Sequence, residues 1–168
     1  FRSPAIPTDI QVASVPATFI ECWARSLDGH PCNDTRLYLD CSAEWCVNTP
    51  DQMVRWSRAR SGGLDLLTFS SQDQAVLQKK GDDLRIDWGT FIMCSPGQAG
   101  VDRARVAGHG ASREAFVKSG TLVASDDLRQ PRPASDDWPV LAAVFELGGV
   151  NSDRKMQWVP FLAYDDRR

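Results

Sequence analysis

Four pairs of adjacent aspartates have the most obvious potential for catalysis in this sequence. The pairs are Asp82-Asp83, Asp126-Asp127, Asp136-Asp137 and Asp165-Asp166. Two carboxylates can carry out acid–base chemistry when their surroundings separate their pKa values, and carboxylate oxygens also bind calcium. However, neighbouring residues in a strand point to opposite faces, and aspartate near a strand end is a typical turn residue. We therefore interpret these pairs as turn and solubility residues and predict no metal site.

The two histidines, His30 and His109, both lie beside a glycine in predicted turns. A histidine that activates a serine or cysteine nucleophile has to be held rigidly, and turn histidines are more often solvated. The sequence contains no Gly-x-Ser-x-Gly, Walker or His-Glu-x-x-His motif. We therefore predict no catalytic residue and no cofactor in this segment.

Cysteine and tryptophan are the next candidates for chemistry or binding. The five cysteines, which include no Cys-x-x-Cys pair, are Cys22, Cys32, Cys41, Cys46 and Cys94. An oxidising compartment would allow one disulfide within residues 22–46, but we favour small buried thiols. The six tryptophans are Trp23, Trp45, Trp56, Trp88, Trp138 and Trp158. An exposed row of them would indicate carbohydrate stacking, whereas most tryptophans in a β-sandwich fill the core or an interface.

Composition and charge exclude several classes of protein. The chain has 168 residues, 42% of them apolar and 24% charged, with a net charge of −3. No run of basic residues is longer than a pair, which argues against nucleic-acid binding. The longest apolar run, residues 139–145, is far shorter than the ~20 residues of a membrane span. The start, Phe1-Arg2-Ser3-Pro4, has neither an initiator methionine nor a signal peptide, so we expect one domain, residues 1–168, taken from a larger protein.

Side chains that alternate between apolar and polar predict the strands. Residues 18–26 and 36–42 alternate in this way, and we predict that they pair as a hairpin. A second predicted hairpin joins residues 53–59 to residues 64–69. Further strands are predicted at residues 84–94 with a bulge at 89–90, at 138–147 and at 155–164.

Helix and loop signals fill the remaining segments. Ser71 and Gln74 resemble a capping box that would start a short helix ending at Gly81, although a loop is the alternative. A second short helix is predicted from Ser112, its cap, to Ser119, closed by Gly120. The remaining predictions are an extended lead-in at residues 1–17, a mobile loop at 95–110 and an irregular segment at 121–137. Seven to nine short strands with one or two short helices predict a mainly β fold, an antiparallel β-sandwich.

Two segments place charged side chains beside tryptophan next to apolar strands. In a strand, Arg85 and Asp87 would lie side by side on the face opposite Ile86. Charged groups in such places are costly unless they are paired, either within the domain or with another domain. The residues that we predict to line an interface or cleft are Arg85, Asp87, Trp88, Arg132, Asp137 and Trp138.

Several segments carry a family resemblance through their order and spacing. They are residues 26–29, 47–52, 79–89, 131–132, 136–142 and 163–166. Together they make the chain, from Phe1 to Asp166, similar to the β domain that precedes the catalytic domain in the glutaminase A family of fungi and bacteria. The resemblance implies a secreted or periplasmic amidohydrolase that converts glutamine to glutamate and ammonia. It also implies that a helical domain, similar to the α/α barrels of glycoside hydrolases, carries the active site.

The resemblance transfers no catalytic residue to a position in this chain. It implies an accessory domain that packs on the helical catalytic domain and shapes its cleft. The alternative from another class is a carbohydrate-binding β-sandwich module, and a third is a purely structural domain.

Overall fold

The computed structural model describes residues 8–78, 81–82, 84–96, 103–152, 156–158 and 160–166. These residues form two α-helices, α1 (Ile10–Ala13) and α2 (His109–Ser119), and a 3-10 turn at Ala43–Cys46. The strands are β1 (Ala17–Phe19), β2 (Cys22–Ala24), β3 (Cys32–Ser42), β4 (Met53–Ser61), β5 (Leu64–Ser71), β6 (Thr90–Pro96), β7 (Ala104–Gly108), β8 (Arg132–Pro133), β9 (Pro139–Val150), β10 (Met156–Trp158) and β11 (Phe161–Asp165). Among these elements, no helix is long and apolar enough to cross a membrane.

The strands form two antiparallel sheets and a small ribbon. The larger sheet has the order β1-β11-β6-β5-β4-β8, the smaller sheet has the order β3-β9-β7, and β2 pairs with β10. Strand β5 contacts both β7 and β9 across the space between the two sheets. The predicted mainly β fold, an antiparallel sandwich, is confirmed.

The core lies where the apolar faces of the two sheets meet. In β5 every second residue is buried, and Leu67 and Phe69 point into the core. Strand β9 lies in the middle of its sheet and is buried on both faces over its first seven residues, as its continuous apolar run predicts. The core side chains contributed by the larger sheet include Val54, Trp56, Phe91 and Met93, and those from the smaller sheet include Val106, Leu141, Ala143 and Phe145.

The β4–β5 hairpin confirms the second predicted hairpin. Its turn contains Gly62 and Gly63, whose φ angles are 57° and 79°. Positive φ at both central residues gives the turn a twist that matches its flanking strands, which is why glycine is favoured there. The register runs without interruption from Val54↔Ser71 to Ser61↔Leu64.

The first predicted hairpin is wrong. Residues 18–26 form two short strands, and β1 pairs with β11 while β2 pairs with β10. Strand β3 pairs instead with β9 in the other sheet. Alternation specifies which side chains face the core, but it does not specify which strand is the partner. In the structure, β3 and the two strands that precede it lie in different sheets.

The predicted final strand, residues 155–164, is also divided. Its described parts are β10 and β11, which belong to different sheets, and Lys155 and Val159 lie outside the described residues. The backbone N–H of Ile20, between β1 and β2, donates to the carbonyl of Pro160, between β10 and β11. The two chain segments therefore change sheet at the same point.

The segment after β5 contains no helix within residues 72–78, so the loop alternative is correct there, and residues 79 and 80 lie outside the described residues. In a capping box, the side chain of Gln74 would accept from the backbone N–H of Ser71. Instead, Gln74 Nε2 donates to the Ser71 carbonyl at 2.7 Å, and its Oε1 accepts from the N–H of Gly89 at 2.6 Å. Gln74 therefore joins two loops rather than starting a helix.

The predicted strand at residues 84–94 begins only at Thr90. Before it, the N–H of Arg85 donates to the side chain of Asn48. The N–H groups of Arg85 and Gly89 thus donate to side chains and not to a neighbouring strand, so residues 84–89 form a loop. Arg85 and Asp87 therefore do not lie side by side on a strand face.

The predicted mobile loop at residues 95–110 and the predicted helix that follows are partly wrong. Residues 104–108 form β7, which pairs with β9, while residues 97–102 lie outside the described part of the chain. Helix α2 starts at His109, three residues earlier than predicted, and Ser112 is buried within the helix instead of capping it. The predicted end is confirmed, since the N–H of Gly120 donates to the carbonyl of Phe116.

The predicted extended lead-in also differs from the structure. Residues 10–13 form helix α1, and β1 begins at Ala17 at the edge of the larger sheet. The short helix starts where the side chain of Asp9 accepts from the N–H of Gln11. Residues 1–7 of the lead-in lie outside the described residues.

Candidate functional site

The two ends of the sandwich differ in what connects the strands. At one end β3 stops, β4, β6 and β9 begin, and β5 and β11 stop. We call this the loop end; it comprises the described residues of segments 43–52, 72–89 and 134–138, together with Asp166. The opposite end contains the Gly62-Gly63 turn, and we call it the hairpin end. All six predicted interface or cleft residues lie at or next to the loop end, since Arg132 pairs with Val54 at the start of β4.

A cleft of about 510 Å³ opens at the loop end. Its described lining residues are Ser42, Glu44, Trp45, Arg85, Ile86 and Tyr164. A second hollow of about 240 Å³ shares Trp45 and Tyr164 with the first and continues toward Pro16 and Phe91. Of the six predicted residues, Arg85 is the one that lines the cleft.

Trp45 is the most exposed aromatic side chain of the cleft. It lies in the 3-10 turn, where the buried Ala43 and Cys46 fix the backbone against the core. One face of the indole stacks on Phe91, with ring centroids 5.4 Å apart and an interplanar angle of 14°. Trp45 nevertheless remains 59% exposed, so a ligand or partner can reach its other face.

Arg85 and Glu44 bring opposite charges to the cleft. The backbone of Arg85 is held by Asn48 at 3.0 Å, while its side chain is exposed. Glu44 Oε2 accepts from the hydroxyl of Ser42 at 3.1 Å. Within the described part of the chain, the Arg85 guanidinium takes part in no ion pair. The cleft therefore offers a cation to an incoming group.

Gln52 connects the cleft loops through its side-chain amide. Its Oε1 accepts from the N–H groups of Asn48 at 2.7 Å and Thr49 at 2.9 Å, while Nε2 donates to Asp87 Oδ2 at 3.0 Å. Asp87 is only 1% exposed. Asp87 thus anchors the loop that carries Arg85 from within the protein and does not reach the open cleft.

The base of the same loop is fixed by Tyr164 and Gly89. The hydroxyl of Tyr164 donates to the carbonyl of the half-buried Trp88 at 2.6 Å. Burial, with a contribution from the negative charge of nearby acidic groups, raises the pKa of this hydroxyl, so it stays protonated as a donor at neutral pH. Gly89 has a φ of 80°, and a Cβ there would lie 2.4 Å from the carbonyl oxygen of Asp165. Only glycine fits at this position.

A second charged cluster lies behind the cleft, at the start of β4. Arg132 is only 4% exposed and forms an ion pair with Asp127 at 2.8 Å. Its guanidinium carbon lies 5.4 Å from the centroid of the Trp56 ring, a cation–π distance. Arg129 bonds both Asp127 and Asp137. These contacts hold the chain that leads into β8 and β9.

Burial opposes ionisation of the Asp127 carboxyl, but the hydrogen bonds from Arg129 and the nearby charge of Arg132 outweigh it. The pKa of Asp127 therefore lies below its ordinary value, and the carboxylate stays ionised opposite the buried Arg132. The side chains of Arg132 and Asp127 are both buried and paired with each other, and neither side chain lines the described cleft.

Asp137 and Trp138 form a strained bend immediately before β9. Their φ angles are 54° and 37°, which are rare for residues other than glycine. The carbonyl of Trp138 accepts from the N–H of His109 at 3.1 Å, and Asp137 accepts from Arg129 at 2.8 Å. The bend therefore aligns the start of β9 with the start of α2, and Trp138 is half-buried.

The other residues considered for chemistry are not among the described residues that line the cleft. Asp126 and Asp127 have different partners: Asp126 accepts from the N–H of Val106 at 2.9 Å. All five cysteines are described, and all are free. Burial raises the pKa of Cys41 to about 11 and that of Cys46 to about 12, so neither thiol is a ready nucleophile. In the described residues, no group of three or more His, Cys, Asp or Glu side chains could hold a metal ion.

Sequence reasoning did not identify Trp45 and Gln52 as site residues. Trp45 was one of six tryptophans, and no sequence feature singled it out; the burial of Ala43 and Cys46 on either side of it is seen in the structure. Gln52 lies three residues after Thr49 in a predicted turn, where a side chain can bond nearby backbone groups. Its contact with Asp87, 35 residues away, has no local signature.

The fold and this site define a class of protein: an antiparallel β-sandwich domain with a cleft built from loops at one end. A family described as a domain of unknown function, DUF5127, matches residues 1–168, and the chain belongs to this family. Glutaminase A of Aspergillus oryzae is 28% identical to the chain over 167 residues, which cover 98% of the chain and 23% of that relative. The predicted similarity to glutaminase A is confirmed, whereas the predicted position before a catalytic domain stays a prediction, and the chain spans less than a quarter of that relative's length.

Proposed function

We propose that this chain is a non-catalytic accessory domain of a glutaminase A-like amidohydrolase that converts glutamine to glutamate and ammonia. It packs against a helical α/α-barrel catalytic domain of the same parent chain, and the parent protein is secreted or periplasmic. The observation that carries the proposal is the match to glutaminase A, which covers 98% of this chain but only 23% of the relative. The rest of such a protein is long enough to hold a separate catalytic domain.

The groups that line the cleft support a positioning role. Amide hydrolysis by a covalent route requires a nucleophile and a base within hydrogen-bond reach. Neither histidine is among the described lining residues. The hydroxyl of Ser42 donates to Glu44, and the hydroxyl of Tyr164 donates to the Trp88 carbonyl. Arg85 and Trp45 are the groups best placed to contact another domain.

The test is glutamine-dependent ammonia release from three proteins. They are the full-length parent, the parent lacking residues 1–168, and the segment of residues 1–168 alone. The proposal expects activity from the parent and none from the segment, with a reduced rate or loss of folding when the segment is removed. Ammonia release by the segment alone, or full activity without it, would contradict the accessory role. Fractionation of source cells, with the parent expected outside the cytoplasm, tests the location.

A carbohydrate-binding module is the second candidate, and Trp45 favours it specifically. An exposed indole face beside the polar groups of Ser42 and Glu44 is an arrangement that can stack on a sugar ring. A glycan array probed with the parent protein tests this candidate. Binding that is lost in Trp45→Ala but kept in Trp23→Ala would support it. The idea fails if no glycan binds, or if both variants bind equally.

A further inference from the structure

We propose that the cleft around Trp45 is where the helical domain of the parent chain docks, and that the docked segment places an apolar side chain against Trp45 and Ile86 and a carboxylate against Arg85. This inference rests on the proposed function, and it adds the docking surface and the chemistry of the occupant.

The first observation is a group of exposed apolar side chains on neighbouring loops. At the loop end these side chains are Trp45, Val76, Leu77, Leu84 and Ile86. Soluble monomers rarely expose large contiguous apolar patches, and such a patch marks an interaction site. The loops that carry these residues are joined to one another through Asn48 and Gln74. Of these five side chains, Trp45 and Ile86 line the cleft together, and the loops that carry the other three lie at the same end of the sandwich.

The second observation is that the surface is already ordered. Gln52 holds the 48–49 turn and the Asp87 loop at the same time. Gly89 closes against the backbone of Asp165. Docking on a surface whose loops are fixed in advance loses less conformational entropy than docking on mobile loops.

The third observation is the charge of Arg85, which determines the chemistry of the occupant. Among the described residues, the cleft's carboxylate, Glu44, accepts from Ser42 and forms no ion pair with Arg85. Arginine binds a carboxylate through two parallel hydrogen bonds. Tryptophan and arginine side by side are also the residue types that contribute most binding energy at protein interfaces. The occupant that complements this cleft is therefore a protein segment with adjacent apolar and acidic side chains.

The test uses hydroxyl-radical oxidation of the full-length parent protein, with each tryptophan read by mass spectrometry. Trp23 is a matched internal control: it is 57% exposed, close to the 59% of Trp45, and β2 follows the end of β1 at the hairpin end. If the cleft is covered, Trp45 should be oxidised at least about fivefold more slowly than Trp23, because the centre of an interface excludes water. Equal rates at the two tryptophans would overturn the proposal.

A charge reversal tests the predicted carboxylate. In the full-length parent, Arg85→Glu should remove most of the protection of Trp45, while Arg25→Glu, at an exposed position after β2, should leave it unchanged. Protection that survives Arg85→Glu would overturn the acidic occupant. The parent can also be diluted until sedimentation velocity shows a monomer. If the protection of Trp45 disappears on that dilution, a second copy is the occupant, and the domain assignment is overturned.

The outcomes separate this inference from the proposed function. Slow oxidation of Trp45 in a parent that releases no ammonia from glutamine would support the docking surface and contradict the enzymatic assignment. Equal oxidation of Trp45 and Trp23 in a parent that hydrolyses glutamine would contradict the docking surface and leave the enzymatic assignment standing.

Discussion

The two ends of the sandwich reverse the chain by different means. At the hairpin end, Gly62 and Gly63 have positive φ angles, and a Cβ at either would meet nothing within 4 Å. At the loop end, Gly89 has a similar φ of 80°, but a Cβ would lie 2.4 Å from the backbone of Asp165. The turn between β4 and β5 is determined by two adjacent residues, whereas the bend at Gly89 depends on segments far apart in sequence.

The difference shows where function can be built. A two-residue hairpin turn exposes little that a partner could recognise. The loop end brings the 3-10 turn, the 48–52 turn and the loop before β6 together, and it fixes them through glutamine side chains. It is also where the described cleft residues lie, among them Arg85, which forms no ion pair within the described part of the chain.

The largest expected effect separates the two ends directly. Gly89→Ala should destabilise the domain by about 4 kcal/mol, since backbone strain and a clash with the Asp165 carbonyl add. Gly63→Ala, where strain acts without a clash, should cost about 1 kcal/mol. Urea unfolding of both variants measures the difference. Equal losses of stability would mean that the backbone around Gly89 accommodates a methyl group as readily as the open turn at Gly63 does.

The next effect concerns the side chain that joins the loops. Gln52→Ala removes three hydrogen bonds and should cost about 1–3 kcal/mol, because the N–H groups of Asn48 and Thr49 lose their acceptor. At the hairpin end, Ser61→Ala should stay within about 0.5 kcal/mol. Chemical denaturation of the two variants is the measurement. A neutral Gln52→Ala would show that the loops hold together without this side chain.

The charged cluster behind the loop end should make the free energy of unfolding depend on pH in the acidic range. The folded-state pKa of Asp127 lies below its unfolded value, so its contribution is present above the unfolded pKa and is lost as pH falls through the folded pKa. Unfolding free energy measured from about pH 5 down to about pH 2 should therefore fall more steeply in the wild type than in Asp127→Asn. The variant should also be less stable at pH 7, because Arg132 stays buried without its counter-charge. Parallel pH curves would contradict this assignment.

The smallest expected effect is a difference in labelling rate between two cysteine thiols, and it involves no change in the free energy of unfolding. Cys32 is exposed where β3 begins, toward the hairpin end, while Cys46 is buried next to the cleft. A thiol reagent at pH 8 should modify Cys32 rapidly in the native protein. It should modify Cys46 only on unfolding, since burial raises its pKa to about 12. Rapid native labelling of Cys46 would show that the loop end opens in solution.

Local patterns predicted the parts of the fold whose cause is local. The β4–β5 hairpin follows from alternation around Gly62-Gly63, and the buried β9 follows from its apolar run. The partners of β1 and β3 did not follow, because alternation gives the face of a strand and not its neighbour. Helix α2 was located, but its start was not, since Gly108 and not Ser112 precedes its first turn.

Sequence reasoning pointed to the end of the molecule where the cleft lies, but it did not predict what each residue does there. Arg85 lies in the cleft, yet Asp87 and Arg132 are buried and hold the loops from below. Charged residues next to apolar strands drew attention to the end of the molecule where the cleft opens, because such charges must be paired on folding. Arg132 pairs with Asp127 within the same segment, but Asp87 bonds Gln52, 35 residues away in sequence. No sequence period records a contact of that kind.

A structure of the full-length parent protein would test the central claim most directly, through the surface of this domain that its other parts bury. The account predicts an interface above roughly 1,000 Å² that covers the loop end, with Trp45 enclosed and Arg85 opposite a carboxylate. An exposed loop end, with the parent chain packed on the hairpin end or on the outer face of the larger sheet, would contradict it.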